Sequence, residues 1–200
     1  QGPEMVLFVY TKIMIINVTK RAAKILPKEW LLDDQAKEPR HNFSDWHLNS
    51  YWFDNGTRPL FMLTNNVTFL TTSFYNKANM SETDFQLGIL NSISAELMNS
   101  MLPLGIEEAI KSANKYGDYA KLPIRFVAKT DRKVMGHMKM NADIVWMAIN
   151  QQGEKINKRE VLQPELEVFQ HINRMITHNL EGKDYIKPYE ETRKLLRELR

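Results

Sequence analysis

The chain contains no cysteine. That one absence excludes disulfides, thiolate zinc sites and cysteine nucleophiles together, and it favours a reducing, cytoplasmic setting. Glycine is scarce, with eight in 200 residues. No Walker loop, dinucleotide glycine pattern, GxSxG elbow or HExxH pair occurs, so the common phosphate, hydrolase and zinc signatures are missing. No stretch approaches the roughly 18 to 20 apolar residues of a membrane span. A secretory leader is not legible either, because Met5 to Tyr10 is short and lacks the flanks. Gln1-Gly2-Pro3 reads as the remnant of a protease-cleaved tag, which places the native start at Met5 or Met14. Charge of one sign is also lacking. Twenty-seven Lys and Arg against 24 Asp and Glu leave a net +3, which permits nucleic-acid contact without the dense basic cluster of a dedicated phosphate-backbone binder.

What is present is an apolar content of 43%, enough for one core. Five Asn-x-Ser/Thr sites, at Asn17, Asn42, Asn55, Asn66 and Asn79, read as the by-product of an Asn-rich composition. β-Branched and aromatic residues predict one or two strands between Val6 and Val18. Thr19 is placed to cap a short helix from Lys20 to Leu26, stopped by Pro27. Tyr51-Trp52-Phe53 predicts a strand, and Asp54-Asn55-Gly56 a turn. Leu60 to Thr64 and Val67 to Tyr75 predict a hairpin about a two-residue loop, Asn65-Asn66.

The second half reads as helices around one strand. Ser81 or Thr83 caps a helix in which Phe85, Ile89, Ile93, Leu97 and Met101 recur at a spacing of four. Another helix runs from Ile106 to Tyr116, stopped by Gly117. Leu122 to Ala128 is a strand, followed by a helix from Asp131 to Ile149. The pattern breaks between Gln151 and Lys158. Pro164 and Pro188 open two further helices. The expected fold is α+β: a mostly antiparallel sheet covered by helices over residues 4–150, with a helical C-terminal extension over 151–200 packed on it.

One turn concentrates chemistry. Lys129, Thr130, Asp131, Arg132 and Lys133 sit where a strand gives way to a helix. A Thr or Asp there can cap the helix, and the free N–H groups with the cations can instead hold a phosphate or nucleic acid. The second candidate is Trp46-His47-x-Asn49. His47 is the only candidate for acid–base catalysis, with Trp46 and Asn49 as neighbours; the same residues also read as a packed aromatic pair. Met135, His137, Met138 and Met140 resemble a soft-metal set, but helical spacing assigns Met138 to a core stripe with Asn141, Ala142 and Val145. No metal or cofactor is expected. In the last helix, alternating charges accompany an apolar stripe, Tyr189, Leu195, Leu196 and Leu199, that must pack on the body, a partner or a second copy.

Three segments in order carry a resemblance: Asn17 to Leu26 with its Thr-Lys-Arg, Trp46-His47-Leu48-Asn49, and Lys129 to Met138 with its Lys-Thr-Asp-Arg. Together they resemble an uncharacterised family of small bacterial proteins, a domain of unknown function, over roughly residues 13 to 150. Leu48 stands where that family tends to have Ala. The resemblance brings no activity with it. The leading expectation is a cytoplasmic binding or regulatory protein, in a toxin–antitoxin or phage-defence setting, contacting a protein partner or nucleic acid. The alternatives are an enzyme on a phosphate-bearing substrate such as RNA, with His47 as acid or base and Lys129 and Arg132 stabilising charge, and an oligomeric scaffold built through the C-terminal helices.

Overall fold

A computed structural model describes residues 13–32, 45–52, 59–75, 80–120, 123–152, 162–175, 177–178 and 185–198. The early part of the first predicted strand, the Asp54-Asn55-Gly56 turn, the break after Gln152, and Leu199 lie outside the described residues.

Six strands form one sheet in the order β2-β6-β1-β3-β4-β5. They are β1 (Met14–Val18), β2 (Leu31–Leu32), β3 (Asp45–Tyr51), β4 (Leu60–Asn65), β5 (Thr71–Tyr75) and β6 (Ile124–Ala128). The sheet is mixed, which corrects the expectation of a mostly antiparallel one. Strands β2, β6, β1 and β3 run parallel, and β3-β4-β5 is an antiparallel meander. The hairpin between β4 and β5 is a local signal, whereas parallel pairing depends on distant crossovers. The clue was β1, where Met14, Ile15 and Ile16 form an unbroken apolar run, all of them buried. Such a run marks a strand covered on both faces.

Helices supply both covers. On one face lie α1 (Glu82–Met101), α2 (Ile106–Ala120) and α5 (Pro188–Glu198). Their Phe85, Ile89, Ile93, Leu97, Ala109, Tyr189 and Leu196 bury against Met14, Ile16, Trp46, Leu48, Phe61 and Phe126. On the other face, α3 (Arg132–Gln152) and α4 (Leu162–Arg174) bury Val134, Met138, Val145, Phe169 and Ile172 against Tyr51, Leu60, Met62 and Phe69. The apolar side of α5 is therefore turned into the molecule's own core. A short pair, β7 (Thr177–His178) and β8 (Tyr185–Ile186), was not anticipated.

Several local expectations change in the fold. Trp46 and His47 lie inside β3 rather than before a strand. His47 and Asn49 alternate with Trp46 and Leu48, so polar residues on the α3 side masked the strand. The β4–β5 connection spans residues 66–70, because the Asn65 side chain, not a two-residue turn, organises it. Its Oδ1 accepts from the Val67 and Thr68 N–H groups at 3.1 and 3.0 Å. Phe69 then adopts φ 56°. Helix α2 continues through Gly117, and α3 includes Gln151 and Gln152; one interior glycine costs a helix only about 1 kcal/mol. Of the two expected caps of α1, Ser81 is the one that forms, accepting from the Asp84 N–H at 3.1 Å.

At the sheet's edge, α4 closes β5. Asn173 Oδ1 accepts from the Thr71 N–H and its Nδ2 donates to the Thr71 carbonyl, both at 2.8 Å. A side-chain amide thus takes the place of a neighbouring strand, which hides an edge that would otherwise recruit other chains. The same Nδ2 reaches Glu96 Oε2 at 3.0 Å, and the Tyr189 hydroxyl donates to that oxygen at 2.7 Å. Both C-terminal helices are tied to α1 and β5 through this buried knot.

Candidate functional site

Two neighbouring parallel strands send the chain to opposite faces. After β1, the chain turns toward α1, burying Ala22 and Leu26 there. After β6, it enters α3 on the other side, burying Val134 and Met138. Divergent connections at the carboxyl ends of parallel strands open a crevice, the usual place for a ligand in such sheets. Here a cleft of about 960 Å³ occupies it. One wall is Thr19, Lys20 and Arg21, the second is Asn49, Tyr51 and Trp52, and the third is Thr130 with the outer stripe of α3. That stripe comprises Arg132, Met135, Gly136, Lys139, Ala142, Asp143 and Trp146.

The floor is a chain of hydrogen bonds. The Thr19 hydroxyl donates to Asn49 Oδ1 at 2.8 Å, and Asn49 Nδ2 donates to the Tyr51 hydroxyl at 2.9 Å. The Arg21 guanidinium lies 5.5 Å from the centre of the Tyr51 ring. Burial pushes the Tyr51 hydroxyl up to about 12, so it stays protonated at neutral pH. Thr19 also accepts from the Ala22 N–H at 3.3 Å, but the helix expected from Lys20 to Leu26 is only the 3-10 turn Ala22–Lys24, whose N-cap position is Arg21 rather than Thr19.

The cleft is cationic and aromatic. Among the described residues, Lys20, Arg21, Arg132 and Lys139 face a single carboxylate, Asp143. Among the described residues, no carboxylate forms an ion pair with any of the four cations. Trp52 and Trp146 are 45% and 54% exposed, unusual for side chains this large. Gly136 stands in the interior of α3, where glycine is less favourable than alanine by about 1 kcal/mol. Its backbone has no positive φ, and a Cβ there would meet no described atom within 4 Å.

The turn at Lys129 to Lys133 divides. Thr130 and Arg132 line the cleft; Lys129, Asp131 and Lys133 do not. Asp131 is the N-cap of α3. Its Oδ1 accepts from the Lys133 N–H at 2.8 Å and the Val134 N–H at 3.2 Å. The helix thus carries its own carboxylate at its N-terminus, and anion binding falls to the side chains of the cleft wall. The Lys129 N–H continues the sheet by donating to the Val18 carbonyl at 3.2 Å.

The two sequence motifs do meet. His47 Nε2 accepts from the Asp131 N–H at 3.2 Å, and Nδ1 bonds Asn66 Oδ1. These partners assign the proton to Nδ1, and both ring nitrogens are engaged. Burial, outweighing the Asn66 bond and the nearby Asp45 and Asp131, lowers the pKa of His47 below its ordinary value. The ring is 1% exposed and is not part of the cleft lining. Trp46 faces the opposite core, fully buried. Of that motif, only Asn49 reaches the cleft.

Lys20, Arg21, Trp52, Lys139, Asp143 and Trp146 were not among the sequence candidates. A signal for three site residues was available, since Arg132, Lys139 and Trp146 recur every seven residues, a spacing that keeps one helix face. Among the described residues no group of three metal-ligating side chains occurs, and no helix is long and apolar enough to cross a membrane.

Fold and cleft define a class: a mixed, helix-covered sheet with a basic, aromatic crevice at the carboxyl ends of its parallel strands. The chain belongs to the family described as domain of unknown function DUF6933, whose model matches residues 15–191. The match extends into α5, past the limit near residue 150 that the resemblance implied. No curated protein matches the chain.

Proposed function

We propose that this protein is a binding module for a nucleotide-containing ligand, either a nucleotide or nucleic acid, held in the cleft between α3 and the loop after β1. One observation carries the reading: four cations and two half-exposed tryptophans line a single crevice at the strand ends. Phosphates answer the cations, and bases answer the indole faces, each stack contributing about 1–3 kcal/mol. Neither a purely apolar ligand nor a simple anion uses both. Acid–base chemistry through His47 is less well supported, because both of its ring nitrogens serve the fold.

The test is a titration followed by the tryptophan emission of the cleft, with a short single-stranded oligonucleotide and with a mononucleotide, at several salt concentrations. Binding is expected to quench emission and weaken steeply with salt. Lys139→Ala and Arg132→Ala are each expected to flatten the dependence of log K on log salt by about 0.7, the value of one phosphate contact on a single strand. Absence of binding at low salt, or binding that neither substitution changes, would refute the proposal.

A further inference from the structure

Gly136 is unexplained by the fold. Its backbone conformation does not require glycine, and a Cβ there would meet no described atom within 4 Å outside the helix's own backbone. An exposed interior helix position of this kind normally favours alanine. Its surroundings are the cleft: Arg132 stands one turn before it, Lys139 one turn after, and Trp146 two turns beyond Lys139. Glycine leaves helix backbone bare, which serves a ligand that must approach closely.

Resting on the nucleotide-binding reading above, we infer that the ligand is single-stranded nucleic acid whose sugar–phosphate chain crosses α3 at Gly136. Phosphates sit against Arg132 and Lys139, and a base stacks on Trp146. From Arg132 to Trp146 the helix rises about 21 Å, which exceeds the reach of one nucleotide. Stacking on an indole needs an unpaired base face, and a duplex presents these only at its ends. Asp143, between Lys139 and Trp146, cannot face a phosphate; its carboxylate accepts from sugar hydroxyl or base amino groups.

The experiment compares the full chain with Gly136→Ala and Trp146→Ala, measuring thermal midpoints and the binding of fluorescein-labelled oligouridylate, with UMP and duplex RNA as competitors. Gly136→Ala is expected to raise Tm by about 2–4 °C and to weaken oligouridylate binding about fivefold or more. Trp146→Ala is expected to weaken it about tenfold. UMP and duplex are expected to compete poorly. If Gly136→Ala raises Tm with affinity unchanged, the strand does not cross there and the inference is overturned while the binding reading stands. A lowered Tm would show that glycine serves the fold, with the same consequence. UMP or duplex competing as well as the single strand would also overturn it. If neither oligouridylate nor UMP binds, the underlying reading itself has failed.

Discussion

Acid is expected to unfold this protein through His137. The ring is largely buried on the inner side of α3, edge-on to Phe69 with centroids 4.8 Å apart, and it hydrogen-bonds the Phe69 backbone. Burial outweighs that bond and lowers its pKa from 6.5 to about 4. The unfolded chain therefore takes up a proton at a pH where the fold still refuses it. The contribution of neutral His137 is complete above pH 6.5, begins to fall as pH drops below that value, and is gone below about pH 4. The gap corresponds to about 3 kcal/mol, a large fraction of a typical domain's stability. His47 acts in the same direction. Glu96 acts against both. Burial raises its folded pKa above the unfolded value of 4.5, so between those two values acidification favours the fold. Urea unfolding at a series of pH values between 7 and 4, for the wild type and His137→Gln, isolates the histidine. The variant loses packing on Phe69 and is less stable at pH 7, but its stability is expected to fall by about 3 kcal/mol less on acidification. Parallel pH curves for the two proteins would refute the argument. Glu96→Gln, lacking the opposing group, is expected to show a steeper acid loss than the wild type.

Two further outcomes follow from hydrogen bonds that cross between elements. Asn173→Ala removes both bonds to Thr71 and the one to Glu96; it is expected to lower unfolding stability by about 2–4 kcal/mol, and the opened β5 edge is expected to show as concentration-dependent association by light scattering. Asp131→Ala removes the N-cap of α3 and is expected to lower the urea midpoint by the equivalent of about 1 kcal/mol, whereas Asp131→Asn, which can still cap, is expected to lie within a few tenths of a kcal/mol of the wild type.

Much of the helical half was legible because its signals are local. Ser81, the four-residue spacing from Phe85 to Met101 and Pro188 each specify an element through neighbours on the same helix. The sheet was harder, since His47 and Asn49 interrupt an apolar pattern and their partners, Asp131, Asn66 and Thr19, are distant in sequence. Parallel pairing left a weaker trace than the hairpin for the same reason. At the site, the sequence pointed to the right corner, the start of α3, through its density of charged residues. It could not show that the Asp131 side chain turns back onto the helix as its cap while Arg132 lines the cleft. Nor could it show that Lys20 and Trp52, just past the ends of β1 and β3, line the same cleft as Arg132, because that depends on β1 and β3 lying side by side in the finished sheet.

The two faces of the sheet are built on different principles, and the difference bears on the cleft. Toward α1 the strands present Met14, Ile16, Trp46, Leu48, Phe61 and Leu63, an apolar surface. Toward α3 they also present Asn17, His47, Asn49, Thr64 and Thr71, all buried. Apolar contacts such as those of Val134 and Met138 stabilise α3 but are non-directional, so they leave its rotation loosely specified. Hydrogen bonds are directional and costly to leave unmade in a buried setting. Two of them hold α3 to the sheet: the Asp131 N–H to His47 Nε2 at 3.2 Å, and Asn141 Nδ2 to Thr71 Oγ1 at 3.0 Å. They lie at the two ends of the eleven-residue segment from Asp131 to Asn141, and Arg132, Gly136 and Lys139 fall between them. Pinning the inner side at both ends sets the direction in which the outer side faces. The buried His47, read from sequence as a catalyst or a packed ring, thus bears on the cleft without lining it: by holding the start of α3 in one orientation, it helps aim Arg132 into the crevice.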